Sequence, residues 1–402
     1  MPERGASQGT LRDTNLRLVL RTVLGCHEPV SRAGVAIMTG LTRSTVSRLV
    51  DDLVAAGLLD ELEPSRPAAR GRPATPLVPG GRPAALGLQV NASYLAARVV
   101  DLRGRVVAGE LVRADLGGSD PGATLARLGA LASAVRRRVA GQVRLVGCGL
   151  ALPGLVDVHT GRVHAAPNLG WSEVRVRPLL GRRAVGGLGV RVGNEADLAA
   201  RTVAETAPGR AGRYADFLYV SGEVGIGGAA VLGGKVFTGG HGWAGEIGHV
   251  TVDPRGPDCR CGSTGCLEQY AGRRAMLRAA RLPDDATTAD LLDRASAGNA
   301  AARRALDAAG RALGIALAGS VNVLDISTVV LGGDLAELAG PLLPTLREQL
   351  ATRVLSARWR PPVVAVAPDD DAPGATGAAY AVLDGLLDDP ARWAARGVGT
   401  RG

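Results

Sequence analysis

Three of the chain's five cysteines fall within eight residues, Cys259, Cys261 and Cys266 in "CRCGSTGC", and His249 stands ten residues before the first of them. Thiolate sulfur and imidazole nitrogen are zinc ligands, and a Cys3His set closes a tetrahedral shell with no position left for a catalytic water. His249, Cys259, Cys261 and Cys266 are therefore the expected ligands of one structural Zn2+ ion, and a zinc hydrolase is disfavoured. Gly262 and Gly265 let the loop turn tightly enough for Cys261 and Cys266 to reach a single ion. An odd, closely spaced set argues against a disulfide framework. Reduced surface thiols or a redox pair are the alternative, and they leave His249 without a role. Cys26 and Cys148 lie in apolar segments and read as small buried residues.

A second polar group has different chemistry. In "LTRSTVSRLVDDLVAAGLL", Thr42 is placed to cap a helix on which Val46, Leu49, Val50 and Leu53 share one face. The other face carries Arg43, Ser44, Thr45, Ser47 and Arg48, whose hydroxyls and guanidinium groups suit phosphate and base-edge contacts in a DNA major groove. The preceding "SRAGVAIMTG" offers Ser31 as a cap and ends at Gly40, which gives the helix, short turn, helix spacing of a DNA-binding unit. Leu16, Val19, Leu20, Val23 and Leu24 supply an earlier helix with a continuous apolar stripe. Downstream, Arg70, Gly71 and Arg72 in "ARGRPATP" stand where a wing would follow, with two arginines able to enter a narrow minor groove. A small helical domain with a solvated polar face and a flexible Arg/Pro linker is the plainer alternative.

These groups need elements to hold them. The chain has 402 residues and 46% hydrophobic content, enough for a sizeable core and two or three domains. Its N-terminus has no apolar signal core, and no run of about 20 residues lacks charge, so neither export nor membrane spanning is expected and the cytoplasm is the expected compartment. The formal charge of +9 is compatible with an acidic partner, although arginine so replaces lysine that Lys235 is the only lysine. Residues 11 to 59 alternate short helical patterns with turns, 60 to 84 are rich in Pro, Gly and Arg, and from Leu86 strands and helices alternate. "LGLQV", "YLAARVVDL" and "RVVAGELV" predict an antiparallel meander, followed by a helix near 121 to 140 and by strands in "LVGCGLALPG" and "GLGVRVGNEA". "DFLYVSGEVGIGGAAVLGGKVF", a helical stretch from Leu291 to Leu324 and "ISTVVLGGDL" repeat that style.

"GWAGEIGHV" (242–250), "CRCGSTGCLE" (259–268) and "LALPGLVDVHTGRVHAAPNLGW" (150–171) together resemble the ROK family of repressors and sugar kinases. With helices and a wing in front, the chain is similar to its xylose-repressor and N-acetylglucosamine-repressor types. The resemblance spans essentially the whole chain. It implies an α/β fold: a winged helix-turn-helix over 1–80, then a two-lobed actin-like, ribonuclease-H-like body with lobes at 81–193 and 194–402, the C-terminal helix returning to the first lobe. It also implies a zinc that braces a sugar pocket, double-stranded operator DNA and a sugar effector as partners, no membrane partner, and a homodimer or homotetramer. Carried over by position, the sugar-binding residues would be Glu246, His249 and Glu268, with Asn168 in "PNLGW", Asn194 in "GNEAD" and the adjacent Glu195. Carboxylates accept pairs of sugar hydroxyls. Trp171 and Trp243 are open to either a sugar face or the core.

Sugar kinases of the family carry an Asp, paired glycines and a threonine in the phosphate loop, and an Asp base after the Asn. Here "GLQVNASYLA" (87–96) has Gln89, Asn91 and Ala92 in place of the acidic and glycine positions. Backbone amides cannot approach phosphate closely without glycine, and no carboxylate remains to hold magnesium. Glu195 replaces the base Asp with a side chain one methylene longer. The expectation is a sugar-responsive transcriptional regulator, a repressor without catalytic residues; an active sugar kinase with an appended DNA-binding unit is the alternative.

Overall fold

Two hydroxyl caps start the second and third N-terminal helices. In the computed structural model, which describes residues 8–63 and 75–397, helices α1 (Gln8–Gly25), α2 (Arg32–Thr39) and α3 (Arg43–Ala55) come first. Ser31 Oγ accepts the Gly34 amide at 3.1 Å to start α2, and Thr42 Oγ1 accepts the Thr45 amide at 3.2 Å to start α3. Gly40, at φ 70°, ends α2 in the left-handed region that only glycine enters without strain. Arg32 fixes α3 from outside by donating to the Ser47 carbonyl and pairing with Asp51 and Glu61. The strands β1 (Val30–Ser31), β2 (Leu59–Glu61) and β3 (Pro76–Pro79) form a small antiparallel sheet in the order β1-β3-β2. Arg70, Gly71 and Arg72 lie between β2 and β3, outside the described residues.

The body is one topology used twice. Strands β4 (Pro83–Val90), β5 (Tyr94–Asp101) and β6 (Val106–Arg113) form the expected meander, β7 (Arg144–Leu152) runs parallel to β4, and Val190–Asn194 runs parallel to β7. The second sheet repeats this plan. Phe217–Gly222, Ile226–Leu232 and Lys235–Phe237 make a meander, Thr328–Gly333 runs parallel to its first strand, and Val363–Val366 follows in parallel. Such a pair of five-stranded sheets is the two-lobed, actin-like arrangement expected from the resemblance.

Helices cover the sheets with the faces that their apolar periodicity dictates. Helix α4 (Pro121–Arg138) buries Leu125, Leu128, Ala132 and Val135 on the first sheet. Helix Ala300–Leu324 buries Leu306, Leu313 and Leu317 in the second lobe. Helix Pro373–Asp388 lies against β4 and β7. A Cβ at Gly87 would come within 1.9 Å of the Ala375 carbonyl and one at Gly149 within 2.3 Å of that of Ala378, so these strand glycines permit the close approach. The other side of that helix shares one apolar cluster with the N-terminal helices: Leu383 and Leu387 pack with Leu16, Leu20 and Leu24. No helix among the described residues is long and apolar enough to cross a membrane.

Candidate functional site

The segments that bear the chemistry converge on a cleft between the two sheets, of about 840 Å³ counting its open mouth. Asn168, Asn194, Glu195, Glu246, His249 and Glu268 all line it. Gly225 sits at the floor, where a Cβ would lie 2.5 Å from both Asn168 Nδ2 and Glu268 Oε2. Those two groups, one from each lobe, thus face each other over a position that admits no side chain.

Not all six are equally available. Asn194 caps helix Glu195–Ala204, its Oδ1 accepting the Ala196 and Asp197 amides, while its Nδ2 donates to the Gly154 carbonyl. Glu195 Oε2 accepts from both Gln89 Nε2 and Asn91 Nδ2 at 3.0 Å. Desolvation raises the Glu195 carboxyl above the ordinary range, and the two amide donors oppose that rise. Desolvation also raises Glu246, with His249 opposing and the Glu268 charge adding. The roles of Gln89 and Asn91 were not legible beyond their mismatch to a phosphate loop. Their signal was a pair of amides in an otherwise apolar run; both are almost wholly buried, and buried amides require partners.

Beside the cleft, His249, Cys259, Cys261 and Cys266 bring four ligand atoms within 4.8 Å of one another. The Cys261 and Cys266 sulfurs are 3.7 Å apart, and Cys259 Sγ is 3.8 Å from His249 Nδ1. A tetrahedral ion with sulfur at about 2.3 Å requires sulfur separations of about 3.8 Å, so this donor set fits a metal. His249 turns Nδ1 toward the sulfurs and Nε2 toward Glu246, 3.9 Å away. A ligated Nδ1 would fix the tautomer that presents Nε2–H to the cleft. Burial raises the Cys259 thiol, which donates to Glu268 Oε1 at 3.0 Å; a bound cation would replace that proton.

The remaining cysteines and tryptophans divide. Cys148 is buried, its thiol pushed up to about 12 by desolvation, whereas Cys26 is only half-buried and donates to the Thr22 carbonyl. Trp171 is core, its Nε1 donating to the Ser119 carbonyl. Trp243 is exposed and bridges the lobes through an edge contact with His164, ring centres 5.5 Å apart.

In the N-terminal unit, Val46, Leu49, Val50 and Leu53 of α3 are buried, while Thr42, Arg43, Ser44 and Arg48 are exposed and Thr45 and Ser47 half-exposed. Arg43 and Arg48 have no carboxylate partner among the described residues.

The sequence pattern that defines the ROK family matches residues 85–384. The chain belongs to the ROK family. It is 26% identical to the xylose repressor of Caldicellulosiruptor bescii, over 87% of this chain and 90% of that one. It is 28% identical to the DNA-binding transcriptional dual regulator NagC of Escherichia coli K12, over 84% and 85%. A solved ROK family transcriptional regulator, a homologue of the E. coli MLC protein, superposes with a TM-score of 0.76 at 24% identity, over 96% of this chain and 99% of the other. A ROK glucokinase from Streptomyces griseus, in complex with glucose and AMPPNP, gives 0.61 at 28% identity, over 74% and 98%. The regulator thus matches nearly the full length of this ROK chain, the N-terminal helices included, and the kinase matches about three quarters of it.

Proposed function

We propose that this ROK protein is a sugar-responsive transcriptional repressor that releases operator DNA when a sugar occupies the interlobe cleft. The observation that carries the reading is the presence, in one chain, of a capped helix whose exposed Arg43 and Arg48 have no carboxylate partner among the described residues and of a cleft rimmed by sugar-type acceptors. Residues 1–80 serve as the DNA-binding unit, with Thr42, Arg43, Ser44, Thr45, Ser47 and Arg48 on the major groove and Arg70, Gly71 and Arg72 on the flanking minor groove. Residues 81–193 and 194–402 serve as the lobes. Asn168, Glu246, His249 and Glu268 hold the sugar hydroxyls, Glu195 offers its remaining oxygen, and Asn194 shapes the floor as a cap. The metal is a structural zinc. A homodimer or homotetramer places two α3 helices on an inverted repeat.

The names of the relatives support a carbohydrate effector, xylose from the Caldicellulosiruptor bescii repressor and N-acetylglucosamine from the N-acetylglucosamine repressor of Escherichia coli O157:H7, which is 28% identical over 84% of this chain. The likeness to a glucokinase supports the second reading, a sugar kinase with a DNA-binding appendage, and the engaged state of Glu195 weighs against it. The deciding experiment measures binding of the protein to duplexes selected from a random pool, with and without D-xylose, D-glucose or N-acetylglucosamine. Release by one of these supports the repressor, and absence of selective DNA binding refutes it.

A further inference from the structure

Asp384 pairs with both α1 and the helix Glu195–Ala204. Its Oδ1 accepts from Arg21 of α1 at 2.9 Å, and its Oδ2 pairs with Arg201 at 3.1 Å. Arg201 is in the last turn of helix Glu195–Ala204, whose first residue lines the cleft. Arg201 also donates to Glu205 at 2.9 Å, which holds the guanidinium over the helix end. One carboxylate therefore joins the DNA-binding unit to the helix that carries Glu195.

A second link lies at the opposite end of Pro373–Asp388. Gln89, which donates to Glu195 through Nε2, accepts the Ala375 amide through Oε1 at 3.0 Å. Between these ends the two helices are in backbone contact, since a Cβ at Gly377 would lie 1.7 Å from the Leu198 carbonyl. The two helices are held close at this crossing, and Leu16, Leu20 and Leu24 of α1 pack in the apolar cluster that includes Leu383 and Leu387.

We propose that Asp384 is a positioning residue that couples occupancy of the cleft to the orientation of the DNA-binding unit, through its simultaneous pairing with Arg201 and Arg21. This rests on the repressor reading and adds the route by which it works. Partly exposed ion pairs contribute little to stability, so the expected loss on breaking this one is in coupling rather than folding. A ligand shifts such an equilibrium only by the difference in its affinity for the two arrangements, and that difference has to be carried by contacts that change between them.

Asp388 supplies an internal control. It also pairs with Arg21, at 2.8 Å, but has no contact with Arg201. The test uses full-length wild type, Asp384→Asn, Arg201→Gln and Asp388→Asn, a duplex that the wild type selects from a random pool, and D-xylose, D-glucose and N-acetylglucosamine as probes. Three quantities are read: duplex affinity without sugar, sugar affinity without duplex, and the factor by which sugar weakens duplex binding. For the wild type that factor is expected to be about tenfold or more. Asp384→Asn and Arg201→Gln should hold the first two within about threefold of wild type and bring the factor toward one, while Asp388→Asn keeps it. Retention of the wild-type factor by both Asp384→Asn and Arg201→Gln overturns the proposal and leaves the repressor reading standing. A wild type that no probe releases counts against both, and an equal loss in Asp388→Asn shows that Arg21 alone matters and overturns the role of Arg201.

Discussion

Glu195 Oε2 receives two amide donors, Gln89 Nε2 and Asn91 Nδ2, each at 3.0 Å. A carboxylate oxygen so engaged is poorly placed to take a proton from a sugar hydroxyl, and the donors are the side chains that replace a phosphate loop. Sugar-dependent ADP release from ATP and Mg2+ is expected to stay at background across hexoses, pentoses and amino sugars. Robust turnover on any of them would establish the kinase reading.

The metal site predicts a linked loss. Cys261 is the exposed member of the four, and its replacement by Ser leaves an incomplete shell beside the loop that bears Glu268. Cys261→Ser should lower the zinc content from one per chain and weaken sugar binding by about tenfold or more, because the ligands orient the groups behind them. Elemental analysis with calorimetric titration checks both. A zinc-free protein with normal sugar affinity would separate the brace from the pocket.

The proximity of Glu246, His249, Cys259, Cys261, Cys266 and Glu268 was legible from the family resemblance that their motifs carry, and local turns bring them together at the cleft and beside it. The N-terminal helices were legible from Ser31, Gly40 and Thr42, which act on the backbone within three residues of themselves. Side-chain commitments across the fold were hidden. Nothing near Asn194 shows that its Nδ2 reaches Gly154, and nothing near Glu195 shows that its partners lie about a hundred residues upstream. Likewise Asp384 reads as one more charge on a helix until the packing places Arg21 and Arg201 on either side of it.

Asp197 predicts a pH dependence. Desolvation, with the Glu246 charge adding to it, raises its carboxyl to about 7, and Oδ1 has no hydrogen-bond partner. Since this lies above the ordinary unfolded value, the protonated form stabilises the fold fully below about pH 4, and that contribution is lost as pH rises through 7. Asp197→Asn should therefore melt higher than wild type at pH 8, with the gap closing toward pH 5. The gain is bounded by about 4 kcal/mol and reduced by water that reaches the side chain. Equal melting curves at pH 8 would show that Asp197 is relieved by solvent.

The last prediction separates the DNA and sugar ends of the molecule. Glu246 lines the cleft and has no part in α3, whereas Arg48 is exposed on α3 far along the chain from the cleft. Glu246→Ala should keep the operator affinity of the sugar-free protein but lose release by sugar, giving a permanently bound repressor. Arg48→Ala, and likewise Arg72→Ala, should lower operator affinity and reduce the slope of its salt dependence by about one, as one cation is lost from the DNA contact. Neither arginine variant should change sugar affinity measured without DNA. By linkage, operator DNA must weaken sugar binding to the wild type by the same factor that sugar weakens operator binding, and in Glu246→Ala both factors should fall together. Fluorescence anisotropy of a labelled duplex over a salt series, paired with sugar titration, reads all of these. A Glu246 variant still released by sugar would move the effector's grip to Asn168 and Glu268, and an Arg48 variant with unchanged affinity and slope would take α3 out of the groove.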